Sequence, residues 1–435
     1  MDLLLDWVST SAFHNSDELY DAPKCHPNTR VAILNEIMQW VSESSSTRDE
    51  FMLWLFGPAG AGKSAIAKRV AEMAASRNLL IGSFFFSRTD PTRSTKDRLI
   101  ASLSYQLALT VPHTRTHIED AIERDPAIFK KNIQTQIDTL LIKPLLGCAL
   151  IIKSQKLIII DGLDECNDSE VQVAILDAIS RAFSSHNLQI VFLVVSRPEP
   201  SLVTSFRGNE PLKSIHHRLA LDDTYKPDDD IRLFFSDKFS HIKRTHILRS
   251  TIPISWPTEE TLEILVKKSS GQFIYAATVV RFVESNRHKP SARLNIILGI
   301  SLRGKINPFA ELDALYNHIF SSVEDIELTL RVISLYIVTV NFAGTLRLIS
   351  MPAELFLSLE PGDIHVALID LSSIVSYNKS SGDVKIMHAS LVDFLCDKRR
   401  STVYYIDIPS TCIEFAWRIF QCLKGPDGIA GTSRI

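Results

Sequence analysis

Apolar positions in the first half of the chain fall into short, nearly continuous runs. Phe51 to Phe56 is wholly apolar and stops at Gly57-Pro58. Leu79 to Phe86, Leu157 to Ile160 and Gln189 to Val195 follow the same pattern, and His216 to Leu221 is a weaker fifth. Runs of this length without alternation suit strands buried on both faces, as in a parallel sheet. Between them apolar residues recur at helical spacing. Val31, Leu34, Ile37, Met38 and Val41 mark one helix, and 63–76, 96–109 and 170–183 mark three more. Strands alternating with helices predict an α/β, doubly wound parallel sheet over 30–222. A ligand then belongs outside the carboxyl ends of the strands.

The pattern changes after Tyr225. Residues 228–242, 259–268, 273–284 and 312–323 read as helices with apolar faces. From about Glu324 mixed structure is expected, with a hairpin where Ile374-Val375-Ser376-Tyr377 and Val384-Lys385-Ile386-Met387 flank Asn378 to Asp383. The expected division is a lead segment (1–29), the α/β domain (30–222), a helical domain (223–323), a winged-helix-like domain (324–408) and a tail (409–435). The end of that tail, Gly425 to Ile435, reads as frayed.

Composition narrows the classes. With 47 basic and 50 acidic side chains the formal net charge is −3, which offers no electrostatic case for duplex nucleic acid as the main partner, and no nucleic-acid partner is expected. Six cysteines lie scattered with no CxxC pair, so neither a disulfide framework nor a zinc site is expected. The N-terminus lacks the basic start of a signal peptide, and the apolar stretch from Val332 to Leu346 falls short of the roughly 20 residues of a membrane helix. The expectation is a soluble, cytoplasmic protein with no membrane partner.

Three polar motifs close three of the expected strands. Gly57-Pro58-Ala59-Gly60-Ala61-Gly62-Lys63-Ser64 fits G-x-x-x-x-G-K-[ST] in full. Its glycines let successive backbone N–H groups turn inward as an anion nest at a helix N-terminus. Lys63 suits the β- and γ-phosphates of a nucleotide and the Ser64 hydroxyl suits Mg²⁺. Second, Leu157 to Ile160 leads to Asp161-Gly162-Leu163-Asp164-Glu165. Asp161 is placed to hold Mg²⁺, usually through water. Asp164 or Glu165 can orient or deprotonate an attacking water, or the pair can simply cap the next helix. Third, Ser196-Arg197-Pro198 ends the fourth strand, where Arg197 either reports a γ-phosphate or serves as a salt-bridge partner.

The ordered set of motifs resembles the NACHT ATPases of the signal-transduction ATPases with numerous domains (STAND), with an N-terminal NACHT region like that of nephrocystin 3. The double acidic segment Asp161 to Glu165 is characteristic of NACHT. Lys24-Cys25-His26-Pro27-Asn28-Thr29-Arg30, Ser270-Gly271-Gln272-Phe273-Ile274-Tyr275-Ala276, Leu312-Asp313-Ala314-Leu315-Tyr316 and Met387-His388-Ala389-Ser390-Leu391-Val392-Asp393-Phe394-Leu395 extend the likeness to the fungal branch, which includes receptors of innate immunity. The resemblance implies a phosphate-loop NTPase fold followed by helical and winged-helix domains. It also implies that His388 reaches the β-phosphate of ADP to clamp a closed state, and that Thr29 and Arg30 lie near the adenine. Family members usually carry an N-terminal signalling domain and a C-terminal repeat array. The sequence as it stands has length for neither.

The implied function is an ATP/ADP switch with slow Mg²⁺-dependent hydrolysis, which self-associates in its ATP state and acts on an unidentified protein effector or regulator. Two alternatives remain open at this point: a remodelling ATPase of the AAA+ kind, and a nucleotide-binding scaffold without meaningful hydrolysis. A small-molecule kinase fits less well, because roughly 200 residues follow the α/β core. The missing N/T-K-x-D motif favours adenine over guanine only mildly.

Overall fold

The computed structural model describes residues 1–16, 24–43, 50–88, 90–149, 152, 154–186, 188–208, 212–299, 309–341, 353–371, 374–378, 382, 384–386 and 388–424. These residues form two compact units. The first comprises Met1–Phe234 with Gly271–Phe273, and the second Phe235–Ser270 with Ile274–Ile435. The expected frayed end, Gly425 to Ile435, lies outside the described residues, as do Met387 and part of the expected turn between Asn378 and Asp383.

The first unit is built on a five-stranded sheet. Helix α1 (Val31–Ser42) precedes β1 (Met52–Phe56), α2 (Lys63–Ser76) and β2 (Leu80–Phe85). Helices α3 (Leu99–Thr110) and α4 (Thr114–Arg124) and a helical run over 133–147 lead to β3 (Lys156–Asp161). Then come α5 (Ser169–Ser184), β4 (Ile190–Ser196), α6 (Pro200–Gly208) and β5 (His216–Ala220). The strand order is β2-β3-β4-β1-β5, and every pairing is parallel.

The unbroken apolar runs have a direct cause in this arrangement. Met52, Trp54, Ile158, Ile160, Phe192 and Val194 pack with the helices between α3 and α6 on one face. Leu53, Leu55, Leu157, Ile159, Val191, Leu193 and Val195 alternate with them and pack with α1 and α2 on the other. Both faces are covered, so neither set can be polar. Part of the lead segment packs on the sheet. Leu4, Val8 and Ala12 join the first of these cores, and the Ser9 backbone N–H donates to Ser102 Oγ at 2.9 Å.

Helices dominate the second unit. Helix α7 (Pro227–Thr245) begins in the first unit and ends in the second, followed by α8 (Glu259–Ser269), α9 (Phe273–Val283), α10 (Pro290–Gly299) and α11 (Ala310–Ser321). Where mixed structure was expected after Glu324, a long helix α12 (Ile326–Asn341) comes first. Two short helices, α13 (Ala353–Leu357) and α14 (Asp363–Leu368), follow it. The expected hairpin is β6 (Val375–Tyr377) paired antiparallel with β7 (Val384–Ile386), and α15 (Ala389–Leu395) closes it. Helices α12, α13 and α14 thus precede this hairpin in the chain. Helix α16 (Ile408–Lys424) ends the described chain. Among the described residues no helix is long and apolar enough to cross a membrane.

Candidate nucleotide site

The three polar motifs emerge at one edge of the sheet. Phe56 pairs with Ser196, and Asp161 pairs with Val195, so Gly57, Asp161 and Arg197 leave their strands at neighbouring positions. Strand β4 lies between β1 and β3. The phosphate loop and the acidic motif are therefore two strands apart, with the arginine strand between them.

The loop from Gly57 to Ser64 turns at Gly60 and Gly62, whose φ values are 77° and 90°; the latter is the N-cap of α2. This left-handed backbone is nearly free for glycine and strained for other residues. Gly57 is required for a different reason. A Cβ there would stand 2.9 Å from Leu221 Cβ and 3.3 Å from the Leu221 carbonyl oxygen. Lys63 Nζ donates to the carbonyls of Gly57 and Pro58 at 2.8 and 2.9 Å. Burial pushes its pKa down to about 8, against the opposing pull of Asp164, Asp161 and Glu165. The same group feels Arg197, so the five charged side chains share one electrostatic site.

Asp161 is buried at the end of β3. Its carboxyl is hydrogen-bonded to the Ser64 hydroxyl, yet burial and the neighbouring acids Glu165 and Asp164 push its pKa up to about 7. Among the described residues Asp161 Oδ1 is buried without a hydrogen-bond partner. An unpaired buried carboxylate oxygen beside a serine hydroxyl is the donor set a nucleotide-bound Mg²⁺ requires, because that ion keeps most of its shell for water and phosphate. Among the described residues no three His, Cys, Asp or Glu side chains cluster as a self-sufficient metal site.

Gly162, with φ 68°, turns the chain into a single 3₁₀ turn over Leu163–Glu165. This separates the two downstream acids. Asp164 Oδ1 accepts the Arg197 backbone N–H at 2.9 Å, and Asp164 Oδ2 lies 3.3 Å from Arg197 Nε. Asp164 thus holds Arg197 at two points. Glu165 Oε2 accepts the Arg88 backbone N–H at 3.3 Å. Burial, reinforced by Asp164, raises the Glu165 pKa above the ordinary carboxylate range. Arg88 also donates from Nη2 to the Asp164 carbonyl at 2.9 Å. Sequence reasoning missed Arg88. The available signal was its position just past the end of β2, at the edge where the other motifs gather.

The remaining candidates are Thr29, Arg30 and His388. Thr29 is buried, and its hydroxyl donates to the His26 carbonyl at 2.7 Å. The Arg30 guanidinium donates to the Ala61 carbonyl of the phosphate loop at 2.9 Å and stacks 4.7 Å from the Phe273 ring centroid. His388, in the second unit, is the N-cap of α15. Its Nδ1 accepts the Ser390 backbone N–H at 3.0 Å and lies 2.9 Å from Ser390 Oγ, which in turn lies 2.9 Å from the Tyr316 hydroxyl.

A five-stranded parallel sheet with a glycine loop after β1 and an aspartate ending β3 defines a phosphate-loop NTPase fold. Residues 29–197 match the family described as nephrocystin 3, N-terminal, so this segment is similar to that NACHT-like phosphate-loop region. No curated protein sequence matches the chain. Among solved structures, the ORC2 protein of Aeropyrum pernix, solved as ADPNP–ADP complexes, aligns at 14% identity over 95% of this chain and 100% of its own, with a TM-score of 0.40. A STAND protein with a tetratricopeptide repeat sensor from Pyrococcus horikoshii aligns at 12% identity over 87% of this chain, with a TM-score of 0.41; the chain covers only 44% of that protein. The ORC1 protein of Aeropyrum pernix in complex with DNA aligns at 13% identity over 93% of this chain and 97% of its own, with a TM-score of 0.39.

Proposed function

We propose that this chain is an ATP/ADP-gated switch with slow Mg²⁺-dependent hydrolysis. The observation that carries this reading is the double hold of Asp164 on Arg197 beside Lys63. An arginine fixed within its own chain, at the edge where a γ-phosphate would lie, is suited to sensing that phosphate. A remodelling ATPase would instead take its arginine from a neighbouring subunit.

The residues divide the work as follows. The backbone of Gly57 to Gly62 and the Lys63 ammonium bind phosphate. Ser64 and Asp161 would hold Mg²⁺, which when bound neutralises charge between the β- and γ-phosphates. Glu165 accepts a proton from water, and its raised pKa brings it nearer the working pH of a general base. Asp164 positions Arg197. In the second unit, Ser390 donates to His388 Nδ1, so a neutral ring carries its proton on Nε2. The resemblance of Met387 to Leu395 to the winged-helix segment of the fungal branch supports His388 as the clamp of an ADP state. The assigned domains are nucleotide-binding (30–222), helical (223–323) and winged-helix (324–408), preceded by 1–29 and followed by 409–435. Self-association in the ATP state and control by a protein effector complete the proposal.

The test is to identify by mass spectrometry the nucleotide that copurifies with the protein, and to weigh the protein in ADP and in a slowly hydrolysed ATP analogue. Bound ADP, with a larger assembly only in the analogue, is expected. A Lys63→Ala variant that keeps full nucleotide affinity removes the site assignment, and a mass that ignores the nucleotide removes the switch.

A further inference from the structure

Arg30 stands in the left-handed region, with φ 59° and ψ 21°, at the N-cap of α1. An L-residue holds that conformation at a cost of roughly 1–2 kcal/mol, so something else must favour it. The surroundings supply the reason. Arg30 is 6% exposed, and Asp230, Ala61 and Phe273, which it contacts, all lie in the first unit. Its backbone N–H donates to Asp230 Oδ2 at 2.9 Å. Its Nη2 donates to the Ala61 carbonyl at 2.9 Å, and its guanidinium lies over Phe273. Its Nε is 3.9 Å from Asp230 Oδ2, too far for a hydrogen bond, and has no other partner.

The contact with Ala61 has a consequence for the loop. In a trans peptide the C=O and the following N–H point in opposite directions. Holding the Ala61 carbonyl toward Arg30 therefore turns the Gly62 N–H away from Arg30. Gly62 is the N-cap of α2, and its N–H is one of the donors of an anion nest. We infer that Arg30 is a positioning residue for the phosphate loop: it aims the Gly62 N–H at bound phosphate and ties that aim to Asp230 on α7 and to Phe273 at the start of α9. The guanidinium acts on phosphate through the backbone and does not read the adenine. This inference rests on the nucleotide reading above.

The experiment uses the full chain and the variants Arg30→Gln and Arg30→Lys. Gln keeps a donor but loses the stack and the reach to Ala61, whereas Lys keeps the charge and a donor on a long side chain but not the planar fork. ADP affinity is expected to fall roughly ten- to hundredfold in Arg30→Gln, the effect of misaiming one hydrogen bond to a charged group, with a smaller fall in Arg30→Lys. Adenosine, which carries no phosphate, should bind Arg30→Gln as it binds the wild type. In protein freed of nucleotide, hydrogen exchange over 57–66 should quicken in Arg30→Gln. Equal losses of ADP and adenosine affinity would make Arg30 a base contact and overturn the inference. So would unchanged ADP affinity with unchanged exchange. A wild type that binds no ADP sinks the nucleotide reading instead, and the exchange measurement then decides the positioning role by itself. If Arg30→Gln does not fold, Asp230→Asn and Phe273→Leu, which loosen the same tie from its far ends, take its place under the same criteria.

Discussion

Replacing Asp164 with asparagine separates its two contacts with Arg197. The retained Oδ1 can still accept the Arg197 backbone N–H at 2.9 Å, but an amide NH₂ then faces Nε, which lies 3.3 Å from the carboxylate. Donor meets donor, and the guanidinium loses its nearest counter-charge while Lys63 stays close. An exposed ion pair contributes about 0–1 kcal/mol, and breaking a fully buried one costs about 3–5 kcal/mol. The side chains here are 3% and 18% exposed, so the pair lies near the buried limit, and half of its bonding survives in asparagine. The expected loss for Asp164→Asn is therefore about 2–3 kcal/mol, near the range of one charge-assisted hydrogen bond. Urea unfolding of Asp164→Asn, Arg197→Gln and the double variant measures the pair directly. The single losses should exceed additivity with the double by about 1.5 kcal/mol or more. Both single variants should also lose the distinction between an ATP analogue and ADP, and the double should lose no more. Additive stabilities within about 0.5 kcal/mol, with nucleotide discrimination intact, would refute the assignment of Asp164 as the holder of Arg197.

Other expectations follow from the same geometry. Mg²⁺–ADP affinity should rise with pH through about 7, as Asp161 gives up its proton to become a ligand, and fall above about 8, as Lys63 loses its charge. Calorimetry across pH 6–9 checks this; Asp161→Asn or omission of Mg²⁺ should erase the rising limb alone, and a flat profile counts against both groups. Gly57→Ala forces a Cβ to within 2.9 Å of Leu221 and should cost about 1–3 kcal/mol in stability while weakening ADP binding, as followed by thermal melting with and without nucleotide. Glu165→Gln should retain ADP affinity and lose at least about a hundredfold in turnover, the usual scale of a general base; unaltered single-turnover hydrolysis would remove Glu165 from that role.

The sheet was legible because both of its faces are covered. The runs from Phe51 to Phe56 and from Leu157 to Ile160 needed no alternation, and the glycines and Asp161 marked where they stopped. Helix α2 begins at Lys63, where the phosphate-loop pattern places it. The helices over 114–147 were not read. Their apolar residues enter a single core, but a π-helical turn over Asp138–Ile142 disrupts the 3.6-residue period that would mark them. Helix α12 was also hidden, because Ile333, Leu335, Val338 and their neighbours read equally well as strand residues. At the site, the motif residues could be named from their types, but not their division of labour. Nothing in Asp-Glu says which acid faces Arg197; the left-handed Gly162 and the turn after it decide that. The hold of Arg30 on Ala61 joins residues 31 positions apart and has no local signature.

Trp54 lies one strand turn before the phosphate loop, fully buried and stacked on Phe206 and Phe56 at 4.1 and 4.3 Å. Its indole N–H donates to Ser196 Oγ at 2.9 Å, the residue before Arg197, and the Arg218 guanidinium lies 5.5 Å from its ring. An indole in such a dry cage emits at short wavelength, well apart from a wet one such as Trp417, which is 59% exposed. Its excited-state dipole feels both the Ser196 hydroxyl and the Arg218 charge. With the other four tryptophans replaced by phenylalanine, this indole becomes an optical gauge between the strand that ends in the loop and the strand that ends in the arginine. A displacement of one strand end against the other would register as a shift in colour, with no dye attached.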